Sequence, residues 1–244
     1  MLINDLLGLD FCVVPGISKK ASTFNSWGKG AVMKNKLVAM LKMQDEMNTR
    51  VHPQWREQDF AWSRAIWTEC AELVEHYGWK WWKKQRPAIA QVKLEFIDIF
   101  HFGMSSLLLS GDTPEVIAER MVAAMDAPKA SGEFIEAVEV FAGEVLTTRE
   151  FNVGLFTAAM KSVDMTFEEL YQGYVGKNVL NFFRQDHGYK EGTYLKYWDG
   201  REDNEHLLEL MKKVDVESTE LRSELYAGLE ALYQELGCWD YAAT

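Results

Sequence analysis

Cysteine is scarce in this chain: its 244 residues hold three, Cys12, Cys70 and Cys238, in no CxxC spacing. Neither a disulfide framework nor a cysteine-rich zinc centre is expected, and a reducing compartment fits better. Proline (5) and glycine (17) are sparse too, which argues against a fold of many short strands and tight turns. Positive charge is in deficit, with Lys+Arg 26 against Asp+Glu 37 for a formal −11. A protein that grips nucleic acid broadly needs a basic surface. That partner is not expected, and any phosphate must be met by local cations or metal ions. No apolar run approaches the ~18 residues of a membrane span; the longest candidate, 94–109, is broken by Glu95, Asp98 and His101. Residues 1–16 lack the basic stretch and apolar core of a signal peptide. A soluble, cytoplasmic protein without a membrane partner is the expectation. The phosphate loops GxxxxGK[ST] and GxGxxG are also missing.

What remains is rich in Leu, Met, Ala, Glu and Lys, and 48% of residues are hydrophobic, enough for a sizeable core of helices. Residues 1–30 carry Pro15, Gly16, Gly28 and Gly30 and read as a loose arm. Residues 31–244 read as one all-α domain of about eight helices, without repeats or linkers. Apolar spacing predicts helices over 31–50, 54–77 and 88–110. Another starts at Pro114 behind Thr113, two lie within 131–165, one spans 166–186 with Thr166 as N-cap, and one spans 204–236. A basic, aromatic connector (79–87) and a loop (188–200) fall between them.

Two acid pairs carry the chemistry, Glu69-x-x-Glu72 and Glu95-x-x-Asp98. Residues three apart share a helix face, roughly 5–6 Å between Cβ atoms, so each pair repels itself unless a cation intervenes. In 94–100 apolar residues surround Glu95 and Asp98 almost completely, which turns both acids inward. A buried carboxylate needs a partner or a metal, and four hard oxygens on facing helices suit Mg²⁺ or Mn²⁺ rather than zinc. A di-iron bundle would need two Glu-x-x-His copies. Asp98-x-x-His101 is only a partial match, so iron is disfavoured and His101 reads as a core or supporting histidine.

Lys177, Asn181 and Arg184 fall at i, i+4 and i+7 on one helix face, two cations and an amide suited to a polyphosphate. Gln44 and Asn48 form an i, i+4 amide pair whose donors and acceptors can read a base edge. A solvated helix face or ordinary core packing is the plain alternative for each of these features.

Five segments in order resemble the dimeric all-α dUTP pyrophosphatases of the all-α NTP pyrophosphatase superfamily. They are QDEMN (44–48), ECAEL through GWKWWK (69–83), EFIDIFHF (95–102), GKNVLNFFRQDHGY (176–189) and KYWDGREDN (196–204). The acid pairs mark the superfamily; the WKWWK and KNVLNFFRQDHGY segments are more specific to the dUTP enzymes. The resemblance implies Mg²⁺-dependent hydrolysis of dUTP, and of dUDP, to dUMP by water attacking the β-phosphorus, in a homodimer. It implies Glu69, Glu72, Glu95 and Asp98 as metal ligands, with Glu69 or Glu72 activating the water. Lys177, Asn181, Arg184, Lys196 and Asn204 would meet phosphates. Gln44, Asn48, Trp81, His101, Phe102 and Tyr189 would surround the base and sugar. A relative that cleaves dCTP or another non-canonical nucleotide is the nearest alternative, and a non-enzymatic metal-binding helical protein the more distant one.

Overall fold

The computed structural model describes residues 26–127, 132–215, 218 and 220–238. Among them are nine α-helices and one two-stranded hairpin, an all-α fold as expected. The helices are α1 (Ser26–Val51), α2 (Trp62–Tyr77), α3 (Ile89–Leu108), α4 (Pro114–Asp126), α5 (Phe134–Thr148), α6 (Val153–Lys161), α7 (Phe167–Asp186), α8 (Asp203–Met211) and α9 (Leu221–Glu235). No helix among the described residues is long and apolar enough to cross a membrane.

α3 is the buried axis. Its run of large apolar residues packs against α1, α2, α4 and α7. α2 and α3 lie antiparallel, because Ala88 at the start of α3 donates its N–H to His76 near the end of α2 while Glu69, two turns earlier, faces Asp98. The chain can turn between them because Gly78 adopts φ 90°, and a Cβ there would sit 2.8 Å from Cβ of Gln85. α7 approaches α3 just as closely: a methyl group at Gly173 would drive into the side chain of Ile97. Its start is fixed by a capping box, with Thr166 Oγ1 accepting from the Glu169 N–H and Glu169 accepting from the Thr166 N–H.

Several boundaries differ from expectation. The predicted helix over 54–77 is a short 3₁₀ turn (Trp55–Glu57) followed by α2. Trp55 folds under α1, fully buried, and its indole N–H donates to Asp45 at 3.1 Å, which interrupts the helix. The predicted 204–236 helix is two, α8 and α9. Between them lies a run of β-branched and short polar residues that favours turns and caps: the Ser218 N–H donates to the Asp215 carbonyl and the Glu220 N–H to Ser218 Oγ. The 188–200 loop ends in a hairpin of β1 (Tyr197–Trp198) and β2 (Arg201–Glu202). Its turn residues Asp199 and Gly200 both have positive φ, the Asp-Gly chemistry of a primed turn. The expected arm lies outside the described residues as far as 25, and α1 already begins at Ser26.

Candidate active site

Across the α2–α3 hairpin, Glu69, Glu95 and Asp98 each present a carboxylate oxygen, and these atoms lie within 4.8 Å of one another. Glu95 is buried and the other two are partly so. Burial, reinforced by Asp98 and Glu95, raises the Glu69 pKa; burial and Asp98 raise that of Glu95. The protein offers two partial remedies. Lys177 on α7, itself buried, places Nζ 2.9 Å from Asp98 Oδ2, and His76 Nε2 lies 3.4 Å from Glu95 Oε1. The expected quartet is thus a trio, with Glu72 exposed on the cleft wall outside the cluster. Three crowded hard oxygens fit Mg²⁺ or Mn²⁺. The neighbouring thiol is a poor competing donor: burial and Glu69 push Cys70 up to about 12.

The trio opens into a cleft of about 760 Å³. Six carboxylates line it (Glu69, Glu72, Glu95, Asp98, Glu202 and Glu205) against three permanent cations, Lys177, Arg184 and Lys196. Such a wall repels a polyanion unless further cations enter with it. The expected phosphate face of α7 is present, since Lys177, Asn181 and Arg184 all line the cleft. Arg184 is clamped rather than loose. Its Nε and Nη2 each lie 2.8 Å from the carboxylate of fully buried Asp203. That carboxylate also accepts from Tyr194 O–H and from the Asn204 N–H, both at 2.8 Å. The outer edge of the guanidinium faces Asn181 Oδ1 at 3.2 Å and Asn204 Oδ1 at 3.5 Å. Lys196 is exposed, 3.4 Å from Glu202, and the Tyr189 ring lies 5.8 Å from the Arg184 guanidinium.

Another part of the cleft wall is neutral and tightly bonded. Gln44 Nε2 donates to Asn48 Oδ1 (2.9 Å) and Ser105 Oγ (3.0 Å), and Asn48 Nδ2 donates to the same Oγ at 3.0 Å. Ser105 sends its own proton to the His101 carbonyl at 3.0 Å. Gln44 Oε1 therefore faces two donors, His101 Nδ1–H at 2.8 Å and the Tyr174 hydroxyl at 2.9 Å, the latter also 3.0 Å from the Met40 carbonyl. Burial depresses His101 to about 3, so its ring is neutral and stacks on Tyr174 at 4.1 Å. Two buried nitrogens in cleft-lining side chains have no hydrogen-bond partner among the described residues, His101 Nε2, an acceptor, and Trp62 Nε1, a donor. Phe102 lies beside Trp62, ring centroids 6.3 Å apart.

Every expected site residue lines this cleft except Trp81. That side chain is 87% exposed and rests edge-on against Trp82, because the 79–87 segment turns away from the cleft after Gly78. The structure adds residues that sequence reasoning passed over: Trp62 in the wall, Ser105 and Tyr174 behind it, and Asp203 behind Arg184. Ser105 lies one helical turn from His101, and the Asp-Gly hairpin announces the turn that delivers Asp203; those are the signals that point to them.

No curated protein matches the chain. A family model described as dUTPase matches residues 36–189, a span that takes in the acid trio, Glu72, the amide pair and the cationic face of α7, and stops short of Lys196 and Asn204. With more than half of its length matched and an all-α architecture, the chain belongs to the all-α dUTPase family.

Proposed function

We propose that this protein is a Mg²⁺-dependent diphosphohydrolase that converts dUTP to dUMP and pyrophosphate, and dUDP to dUMP and phosphate. The observation that carries the reading is the self-repelling acid trio set beside a buried lysine in a cleft whose wall carries excess negative charge. Glu69, Glu95 and Asp98, with Glu72 at the edge, would hold the divalent ions, which when bound neutralise the triphosphate and ease loss of a proton from water. Lys177 and Arg184 offset charge on the phosphoryl oxygens, with Asn181, Asn204 and Lys196 alongside. A carboxylate of the first pair, Glu69 or Glu72, accepts the proton of the attacking water. That water forms a new bond to the β-phosphorus while the bond to the bridging oxygen breaks, and dUMP departs with that oxygen. Gln44, Asn48, His101 and Phe102 surround the base, with Trp62 added to them by the orphaned indole nitrogen, and Tyr189 meets the sugar.

The protein acts as a cytoplasmic homodimer in this reading. Exposed Trp67, Trp79, Trp81 and Trp82 support self-association, because aromatic residues are enriched at interfaces; a monomer in light scattering at micromolar concentration overturns that part. The central test is pyrophosphate or phosphate release from dUTP, dUDP, dCTP, dTTP and UTP, with and without Mg²⁺. Rates highest on the uracil deoxynucleotides and abolished by chelation are expected. Preference for any other base sinks the assignment.

A further inference from the structure

An asparagine carboxamide is nearly symmetric in shape and opposite in meaning at its two ends. Uracil presents a carbonyl acceptor and a ring N–H donor side by side, whereas cytosine presents an amino donor and a ring nitrogen acceptor. One amide orientation suits the first pattern, and a half-turn of the same amide suits the second. A site that leaves its amide free to turn accepts both bases. Whether Asn48 can turn is decided behind the cleft wall, by residues that line no part of it.

After its bonds to Gln44 and Ser105, Asn48 keeps one N–H without a partner among the described residues and one oxygen lone pair that only Ser105 Oγ approaches, at 3.4 Å against its 3.0 Å bond to the His101 carbonyl. Ser105, fully buried, fixes which is which. Its proton goes to the His101 carbonyl, which can only accept, so Oγ must receive donors from both amides. Turning both amides together would bring two carbonyl oxygens to about 3 Å from Ser105 Oγ, which has a single proton to offer. Turning Asn48 alone would set its NH₂ against that of Gln44. Gln44 is held from its other end by His101 Nδ1–H and the Tyr174 hydroxyl.

We propose that Ser105, seconded by Tyr174, is a specificity-determining positioning residue that locks the Asn48 amide in the uracil-reading orientation and so excludes cytosine nucleotides. The proposal rests on the dUTP reading of the site. Neither residue touches the substrate. Losing the lock leaves dUTP an amide that can still adopt the right orientation, and opens the opposite orientation to dCTP.

The test compares kcat/KM for dUTP and dCTP in the parent protein and in Ser105→Ala, Ser105→Thr and Tyr174→Phe. Ser105→Ala is expected to lower the dUTP/dCTP ratio by about tenfold or more, because discrimination by oriented hydrogen bonds depends on groups that cannot re-pair with the wrong base. The change should fall mainly on dCTP. Ser105→Thr, which keeps a hydroxyl able to bond the carbonyl four residues back, should restore the ratio, and Tyr174→Phe should lower it less. A purely structural role would lower the melting temperature and slow both substrates alike. A ratio within about twofold of the parent in folded Ser105→Ala overturns the lock; if that variant does not fold, an unchanged ratio in Tyr174→Phe overturns it instead. A parent protein that cleaves neither nucleotide, or prefers dCTP, overturns the underlying reading and the lock with it.

Discussion

The two polar ends of the cleft are opposites. At the carboxylate end, three acids crowd within 4.8 Å, with Lys177 against Asp98 and His76 near Glu95 as their partners. At the amide end, Gln44 has every donor and acceptor matched, and Ser105 is equally saturated. The first is held together against its own repulsion and is stabilised by whatever cation arrives. The second has Gln44 and Ser105 fixed before any ligand binds, and leaves groups of Asn48 and His101 unpaired. The contrast shows how a single helix can serve both ends: α3 carries Glu95 and Asp98 on one turn and His101 and Ser105 on the next two, so the acid trio and the amide network are set at a fixed separation.

The largest expected effect lies at the carboxylate end. Asp98→Asn should leave a folded protein whose pyrophosphate release from dUTP falls by about 10³-fold, roughly 4 kcal/mol in barrier; retention within about tenfold would remove the acid from the mechanism. Next comes the amide end. Gln44→Met keeps the shape but strands the His101, Tyr174 and Asn48 groups, and should cost about 2–3 kcal/mol in urea unfolding. Unlike any loss at the acids, that cost should be the same with and without Mg²⁺. A cost that Mg²⁺ relieves would show the ends to be coupled rather than independent.

A smaller effect concerns pH. Glu69 and Glu95 hold protons more tightly folded than unfolded, their pKa values standing above the ordinary 4.5, so the folded state carries the extra protons in that window. Metal-free stability should therefore fall as pH rises from about 5 towards 8, by on the order of 1 kcal/mol, the worth of about one pKa unit. Unfolding in EDTA at the two pH values, with Glu95→Gln as the flattened control, measures it, and saturating Mg²⁺ should reverse the slope. Smallest of all, Trp81→Ala should shift stability by less than about 0.5 kcal/mol, as exposed positions do; a larger drop in thermal unfolding would mean that this side chain is packed in solution.

Much of the fold and the site is legible in the sequence where local chemistry and tertiary packing agree. α3 reads clearly because its apolar run is closed by Pro87 and Gly111, and α7 because Thr166 and Glu169 form its cap. The inward turn of Glu95 and Asp98 follows from their apolar flanks alone. Legibility fails where a residue's role depends on distant chain. Trp55 counts as a helical apolar position until α1 is present to receive it. Ser105 looks like filler near the end of an apolar helix, because its partners Gln44 and Asn48 lie some sixty residues upstream. Trp81 sits in a distinctive motif, yet nothing in spacing tells which way a connector points after a glycine at φ 90°.

Asp203 has a practical consequence. It stands at the first position of α8, beyond the span shared with the family, and supplies the counter-charge for Arg184. A fragment trimmed to the shared span would keep both acid pairs, Gln44 and Asn48, and the guanidinium itself, and would still aim that guanidinium wrongly. Where the recognisable part of this chain ends and where its working part ends are different places.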